Sequence, residues 1–436
     1  MIPIIPKEMH LSTSSQVSLT RRAFLKTSGA IAGATAAATL LTSCESTPQA
    51  LQTIEQTVQL QTPVTLGVLL PHLKLNPLVG QQVLDGMRLY SNTSAQRQIN
   101  LVVHEVGVGQ YEAHRAAQEL LDQGGIDMLV GVVNPMLISP FHELLQERQT
   151  FLLIADVGAD VVRSQHKNPY VATHSLGYWQ ANYAMAHQLV RRFGRRAVLV
   201  TSFYDSGYDS VYAFRYGFEE AGGQVLETLV THRLIDDAAH LADVIEQIKA
   251  LRPDVVYLVS SGRDAEEFAQ AYAAAGVQIP LAGASFSADI HASQVPPIST
   301  VMPWARELAT DENQAFVSNF EAATGRPADA LALLGYETAL LIDTALSEAG
   351  GDLRDVAAMQ QALANMRVTS PRGLLTLDID NQHTNTPLYT GIARYNGGKV
   401  QYESLEELTL PAGSDILSQQ LRTSVKSGWC NPYLCF

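Results

Sequence analysis

The sequence predicts an α/β fold of two similar lobes, each an open parallel sheet, joined by a hinge that the chain crosses three times. Short apolar runs rich in β-branched residues alternate with amphipathic helical stretches, and this order occurs twice in succession. Alternation of strands with helices is typical of a parallel sheet covered on both faces. The chain has 436 residues, of which 46% are hydrophobic and 17% charged, so two ordinary domains are possible.

The elements follow in order along the chain. Strands of the first lobe are predicted at Val64–Leu70, Ile99–Glu105, Met128–Val133 and Phe151–Ala155. Helices between them are predicted at Val79–Tyr90, Glu112–Asp122 and Ile138–Arg148. Strands of the second lobe are predicted at Ala197–Thr201, Gln224–Val230, Val255–Val259 and Leu281–Ala284. Its helices are predicted at Ser210–Ala221, Leu241–Leu251 and Ala265–Ala275.

After Ser299 the pattern becomes mostly helical. Helices are predicted at Glu312–Thr324, Gly335–Ala349 and Leu353–Met366, and strands at Gly373–Asp378 and Thr390–Arg394. The chain is therefore expected to cross between the lobes near residues 173–180, 285–303 and 367–373, and multiple crossings make a hinge. We assign residues 63–175 plus 304–367 to lobe 1, 176–303 plus 368–405 to lobe 2, and 406–436 to a C-terminal tail.

Residues 1–44 are interpreted as an export signal. Arg21 and Arg22 precede a weakly apolar segment, Gly29 to Leu41, which ends in Leu-Thr-Ser-Cys at Cys44. This order resembles a twin-arginine signal peptide with a lipobox, which implies export by the twin-arginine translocase and a lipid anchor on Cys44. Cleavage near residues 36–38 would instead release a soluble protein. Residues 45–62, rich in Ser, Thr, Pro and Gln, are predicted to form a flexible tether.

Charge and cysteine content exclude several classes of function. Residues 45–436 carry 25 basic and 42 acidic side chains, a net charge of −17, which argues against nucleic acid as a partner. Cys430 and Cys435 could close a small disulfide in an oxidising compartment or remain free thiols. Two cysteines are too few for a structural zinc site, and neither a metal nor a cofactor is predicted.

Several segments of the body carry a family resemblance. They are Leu66–Pro71, Gly125–Gly131, Ala197–Thr201 with Ser206-Gly207, Arg252–Tyr257, Ala274–Val277, Gly325–Pro327 and Gly335–Ala339. In this order they resemble the type I periplasmic binding proteins, specifically the branched-chain amino acid (Leu/Ile/Val) receptors of ABC importers. The resemblance implies a receptor in the periplasm or on the outer face of the envelope. It would capture a small molecule between its lobes and deliver it to an ABC permease in the inner membrane.

Candidate ligand-binding residues lie in the loops that follow strands, because open α/β sheets bind ligands at the carboxyl ends of their strands. A capping or solvated role is the alternative for each of them. The candidates from these loops are His72, Asn134, Pro135, Asp156, Val157, Tyr204, Ser206, Ser261, Ser285 and Phe286. Tyr178, near the first crossing, and Tyr336, which opens a late predicted helix, are also expected to reach the pocket.

The sequence departs from the amino acid pocket that the resemblance implies. Asn134-Pro135 replace hydroxyl residues, Ala159 replaces a Thr, and Ser206 replaces a Tyr. Ser285 stands where an acidic residue would pair with the ligand ammonium, and Asp289 is a weak substitute. A buried, unpaired ammonium costs several kcal/mol, so ordinary α-amino acids are expected to bind poorly. An amino-acid-like compound, an amide or an organic acid is expected instead.

Three motifs suggest other chemistry but are incomplete. His142-Glu143-Leu144-Leu145-Gln146 lacks the second histidine of a zinc helix, and Gly107-Val108-Gly109 lacks the third glycine of a dinucleotide loop because Glu112 follows. His232, Asp236, Asp237 and His240 are interpreted as a solvated strand-to-helix loop. No nucleophile–base set indicates an enzyme. The alternative to a transport receptor is an envelope lipoprotein of the same fold that regulates a partner, either as a cell-wall synthase activator or as a ligand-sensing subunit.

Overall fold

The computed structural model describes residues 61–72, 78–106, 110–131, 138–231, 238–290, 294–396 and 399–423. Within these ranges it confirms two lobes built on parallel sheets. Several residues of interest from the sequence lie outside the described residues. They are Arg21, Arg22, Cys44, Gly107–Gly109, Asn134, Pro135, His232, Asp236, Asp237, Cys430 and Cys435.

Lobe 1 begins with alternating strands and helices, which lie close to the predicted positions except for β5, a strand that was not predicted. These are β1 Gln61–Pro71, α1 Val79–Thr93, β2 Arg97–Val106, α2 Gln110–Gln123, β3 Met128–Gly131, α3 Phe141–Arg148, β4 Leu152–Asp156 and β5 Val171–Ser175. The five strands are parallel in the order β2-β1-β3-β4-β5. Apolar side chains bury both faces of β3 and β4, as expected for central strands covered by helices on each side.

Lobe 2 repeats this arrangement with a larger sheet. Its elements are α4 Tyr178–Arg192, β6 Arg196–Ser202, α5 Asp209–Glu220, β7 Gln224–Thr231, α6 Ala238–Leu251, β8 Val255–Val259, α7 Gly262–Ala274, β9 Leu281–Ala284, α8 Ser285–Ala288, β10 Ile298–Met302, β14 Leu388–Asn396 and β15 Lys399–Leu408. The strand order is β15-β14-β10-β9-β8-β6-β7. Strands β6 to β10 are parallel, and β14 and β15 extend one edge in antiparallel fashion.

Three helices return the chain to lobe 1: α9 Asp311–Thr324, α10 Ala330–Glu348 and α11 Val356–Asn365. Helix α10 crosses α1 with backbones nearly in contact, because glycines stand at the crossing. A Cβ on Gly86 would lie 1.8 Å from the Ala332 carbonyl oxygen, and one on Gly335 would lie 1.9 Å from that of Val83. Among the described helices, α10 is long and apolar enough to cross a membrane, but 72% of its most apolar stretch is buried in the protein. It is therefore explained as a core helix.

The third crossing between the lobes differs from the prediction. Strands β11 Arg367–Ser370, β12 Gly373–Asp378 and β13 His383–Asn385 form a small antiparallel sheet. This sheet lies beside β5 of lobe 1, where Ser175 N donates to Thr384 Oγ1 at 2.8 Å and Thr173 Oγ1 donates to Gln382 Oε1 at 3.0 Å. The chain thus crosses to lobe 2 after β13, not at 367–373, and residues 368–385 lie with lobe 1.

The predicted C-terminal tail also contains regular structure. Residues 406–408 complete β15, and Ser414–Arg422 form helix α12. Leu417 and Leu421, one helical turn apart, are buried against Trp179 and Tyr183 of α4 and Ala213 of α5. Burial of these two leucines attaches the described part of the tail to lobe 2.

The loop that follows β4 leaves lobe 1 and binds to lobe 2. Three of its backbone carbonyls accept hydrogen bonds from amides of lobe 2. Val157 O accepts from Tyr178 N (3.1 Å), Gly158 O from Trp179 N (2.8 Å) and Ala159 O from Ser210 N (2.9 Å). Arg163, 1% exposed, binds the carboxylate of Asp209 at the start of α5 with nitrogen–oxygen distances of 2.6 and 2.9 Å. This bidentate ion pair, which we call the clamp, holds residues 157–163 against α5.

Candidate functional site

The carboxyl ends of four strands supply a cleft that lies between the lobes. Strand β4 contributes from lobe 1, and β6, β8 and β9 contribute from lobe 2. We use "the cleft" for the residues at these ends together with two tyrosines at or beside helix starts. They are Asp156, Tyr178, Asp205, Tyr208, Ser260, Ser261, Ser285 and Phe286.

Asp205 lies three residues after β6 and faces the loop that follows β8. Ser202 Oγ donates to Asp205 Oδ2 at 2.6 Å, and Ser261 Oγ donates to the same oxygen at 3.4 Å. Burial raises the pKa of Asp205 to about 6; the Asp264 carboxylate adds to the rise and the serine hydroxyls oppose it. At pH 7 and above the side chain is therefore mostly ionised.

Asp156 is the last residue of β4. Its Oδ2 accepts a hydrogen bond from Gly158 N at 2.8 Å, and burial raises its pKa to about 6. Asp156 and Asp160 line a small recess between the end of β4 and the small sheet, with room for about one water molecule. We call this the hinge recess; its other lining side chains include Thr173, Ser175, Trp179, Gln382 and His383.

Aromatic rings cover the space beside the carboxylates. The rings of Tyr178 and Phe286 are tilted, with centroids 5.2 Å apart. Phe286 comes from lobe 2 and also packs with Val157 and Leu331 on the lobe 1 side. Burial raises the pKa of Tyr208, and the charges of Asp205, Asp160 and Asp156 raise it further, so the Tyr208 ring lies among three carboxylates.

Two hydroxyls in the cleft, those of Ser260 and Ser285, have no hydrogen-bond partner among the described residues. Ser260 is 1% exposed. The Tyr178 hydroxyl is also buried, but it lies within hydrogen-bond reach of Asn182 and Ser287. A buried hydroxyl without a partner costs about 1–3 kcal/mol, so the two serine hydroxyls are available to a bound molecule.

Other predicted residues have contacts that suggest different roles. Ser206 is buried and its hydroxyl donates to Phe203 O at 2.8 Å, which stabilises the turn after β6. Tyr204 is 52% exposed and packs edge-on against Phe203. Val157 is partly buried beside Phe286.

Two predicted residues lie away from these groups. The side chain of His72, at the end of β1, is 62% exposed and its Nδ1 is 3.7 Å from Glu105. Tyr336 packs edge-on against Tyr90 and Phe316, with ring centroids 5.3 and 5.2 Å apart, where α1, α9 and α10 meet. The structure therefore does not bring Tyr336 together with the cleft residues.

Buried arginines near the cleft are already neutralised. Arg163 binds Asp209, as described above. Arg372, fully buried, binds Glu337 of α10 at 2.9 Å, and His174 of β5 lies 3.2 Å from the same carboxylate. Burial raises the pKa of Glu337, but Arg372 and His174 outweigh it, so the pKa lies below its usual range. Among the described residues, the carboxylates of Asp156 and Asp205 therefore have no basic partner.

The strand-end rule places Asp205 and Ser260 in predicted pocket loops, residues 203–206 and 260–262, although the shorter set of candidates keeps only Tyr204, Ser206 and Ser261 from these loops. Tyr208 was not predicted. Tyr208 stands just before α5, and only the fold shows that this position faces three carboxylates.

The incomplete motifs have ordinary roles where they are described. His142–Gln146 lies on α3, whose apolar residues Leu144 and Leu145 are buried. His240 Nε2 lies 3.1 Å from Val230 O, a local contact between α6 and β7. Among the described residues, no three His, Cys, Asp or Glu side chains gather as a metal site would require.

Comparisons with known proteins agree with this architecture. The family model described as "Periplasmic binding protein" matches residues 63–399. A Leu/Ile/Val-binding protein homolog 6 from Brucella abortus is 24% identical over 286 residues, which are 63% of this chain and 71% of that protein.

Two solved structures show the same similarity. An ABC transporter solute-binding protein from R. palustris, in complex with benzoate, is 25% identical, with a TM-score of 0.66 over 80% of this chain and 98% of that one. A leucine-binding protein from Thermotoga maritima is 17% identical, with a TM-score of 0.65 over 78% of this chain and 98% of that one. These relatives are substrate-binding proteins of transporters, not enzymes.

Proposed function

Since this chain belongs to the periplasmic binding protein family, we propose that it is the extracytoplasmic receptor of an ABC importer and captures a small polar or amphipathic solute in the cleft. The observation that supports this most directly is the pair of serine hydroxyls, those of Ser260 and Ser285, that have no partner among the described residues at the ends of β8 and β9. They stand beside the carboxylates and rings of both lobes, as a small-molecule site requires.

Cleft closure is the proposed mechanism. A solute that touches Asp156 on lobe 1 and Asp205 or Ser261 on lobe 2 binds the closed form more tightly than the open form. Binding therefore shifts the population toward closure, because a ligand favours the state that it contacts more extensively. The permease then distinguishes loaded from empty receptors by the distance between their lobes.

An amino-acid-like compound, an amide and an organic acid are the ligands that the sequence favours. Ser285 supports the expectation that ordinary α-amino acids bind poorly, since no acidic side chain occupies that position. Benzoates and leucine are ligands named for structural relatives, and both serve here as test compounds.

The proposed location is the periplasm or the outer face of the envelope, with a lipid anchor on Cys44 after export through the twin-arginine translocase. The sequence order from Arg21-Arg22 to Cys44 supports this route. Replacing both arginines with lysine should retain the precursor in the cytoplasm. Cys44→Ser should release the mature protein from the membrane fraction, whereas unchanged membrane association would contradict the anchor.

Native mass spectrometry of protein purified from its own envelope tests the receptor function. We expect a retained small molecule that leaves on mild denaturation, and co-purification of a permease and its ATPase after cross-linking. Stable recovery of an unrelated envelope enzyme, with an empty cleft, would favour a regulatory role and contradict the receptor.

A further inference from the structure

We infer that the cleft takes a ligand whose polar end is a cation, specifically an organic ammonium without a carboxylate of its own. This inference rests on the proposed receptor function, and it replaces the amide and the organic acid that the sequence favours with one other chemical class. It goes against the chemistry of the structural relatives, whose named ligands are an aromatic acid and amino acids.

The charge on the cleft side chains is the first argument. Asp156 and Asp205 come from opposite lobes, and both lie near the Tyr208 ring. Arg163 and Arg372 are bound to buried carboxylates of their own. Arg263, at the start of α7, has a 70% exposed side chain that pairs with Glu267. Among the described residues, a ligand carboxylate would therefore meet Asp156 and Asp205 without a basic partner.

The unpaired hydroxyls are the second, independent argument. An ammonium has three N–H donors and no acceptor. Asp205 offers a carboxylate, and Ser260 and Ser285 offer hydroxyl oxygens that have no partner among the described residues. Ser260 is nearly fully buried. Acceptors arranged around one charged group match this donor set, and hydrogen bonds to charged groups are the stronger kind.

The rings supply the remaining recognition. Tyr178 and Phe286, 5.2 Å apart at their centroids, offer apolar faces beside the acceptors. A cation within about 6 Å of an aromatic ring face gains further attraction. The preferred ligand is thus an amine with a compact apolar or aromatic body.

Calorimetry with compounds that share one ring tests the charge preference. Benzylamine is a cation, benzamide is neutral and benzoate is an anion, while leucine represents the zwitterions. We expect benzylamine to bind at least about tenfold more tightly than the other three compounds at pH 8. Tighter binding of benzoate, benzamide or leucine would overturn the inference but leave the receptor function intact. No binding by any of the four compounds would count against both. Calcium chloride is tested in the same way. Calcium binding that competes with benzylamine would identify a metal site and overturn the inference of an organic ammonium ligand.

Asp205→Asn locates the charge, since the amide keeps an acceptor for Ser202. The variant should weaken benzylamine binding by about tenfold or more and leave benzamide binding unchanged. Asp243→Asn removes an exposed carboxylate from α6 and serves as the control for net charge. Equal losses in the two variants would contradict a local role for Asp205.

A pH series keeps the test valid if Asp205→Asn folds poorly. The groups that face Asp205 are Ser202 and Ser261, the Asp264 carboxylate, and the tyrosines Tyr178 and Tyr208. With pKa values of about 6, Asp156 and Asp205 lose their charge between pH 8 and pH 5. Benzylamine affinity should therefore fall across this interval, and constant affinity would overturn the inference.

Discussion

Removing the positive charge from the buried cluster at the hinge should destabilise the whole protein. Arg372 donates to Glu337 Oε1 at 2.9 Å and to Ser175 O at 2.9 Å, and its own carbonyl accepts from Tyr389 at 2.9 Å. It thus connects α10 with the ends of the first and third crossings. Arg372→Met keeps a long apolar stem but leaves Glu337 buried without its main partner.

The structure indicates the size of the effect. Removing one member of a buried ion pair costs about 3–5 kcal/mol, because the other charge remains buried. At about 2–4 °C per kcal/mol for a chain of 150–250 residues, this corresponds to a fall in Tm of about 6–20 °C. Because this protein is longer, we expect its Tm to fall by an amount near the lower end of that range. The double variant Arg372→Met/Glu337→Gln removes both charges and should recover part of the loss.

The pH dependence has a definite sign. In the wild type, the lowered pKa of Glu337 contributes stability above the ordinary glutamate pKa, and this contribution is lost as pH falls through the folded-state value. In Arg372→Met, burial raises the pKa of Glu337, so the variant gains stability as pH falls. The difference in the free energy of unfolding between wild type and Arg372→Met should therefore become smaller from pH 8 to pH 5.

Urea denaturation monitored by tryptophan fluorescence measures these differences at each pH. Arg367→Met, which removes an exposed arginine from β11, is the matched control and should change stability by less than about 0.5 kcal/mol. A loss below about 1 kcal/mol for Arg372→Met, or an equal loss at pH 5 and pH 8, would refute the reasoning.

Three further predictions concern packing and ligand choice. Gly86→Ala should destabilise by about 1–3 kcal/mol in urea unfolding, because its Cβ would meet the Ala332 carbonyl at 1.8 Å; an unchanged midpoint would mean that α1 and α10 separate freely. Leu417→Ala should cost about 2–5 kcal/mol and expose α12 to proteolysis, with exposed Ile416→Ala as the control; equal effects would contradict docking of α12. Leucine should give no low-micromolar binding in calorimetry, and such binding would show that the cleft accommodates a zwitterion after all.

The sequence predicted most of the apolar, central strands. It missed β10, which is buried between β9 and β14, because Ser299 and Thr300 interrupt its apolar run. β8 and β9 were expected at the residues where they occur, because Val255–Val259 and Leu281–Ala284 are short apolar runs between helical patterns. β5 and β13 were missed, since Val-Ala-Thr-His-Ser and His-Thr-Asn have neither an apolar run nor clear alternation. Side-chain bonds between Thr173 and Gln382 and between Ser175 and Thr384 hold these polar strands together, and such long-range pairing leaves no local signal.

The candidate site, like the strands, was predicted only in part. The rule that ligands bind after parallel strands selected Asp156, Ser261, Ser285 and Phe286, which the structure brings to the cleft. Tyr336 was selected because it opens a late predicted helix, and packing against Tyr90 and Phe316 explains its position. The acidic character of the cleft depends on charges from separate strands and on arginines neutralised at a distance, and neither can be read from local sequence.

The clamp between Arg163 and Asp209 changes how the molecule should be divided when its motion is measured. Residues 157–163 are continuous with lobe 1, but their carbonyls and Arg163 are bound to α4 and α5 of lobe 2. A rigid-body fit to solution scattering should therefore place this loop in the second body and cut the first after Asp156. Distance labels attached to the loop would report the position of lobe 2. The distance between labels on residues 162 and 212 would therefore not change when the lobes open and close.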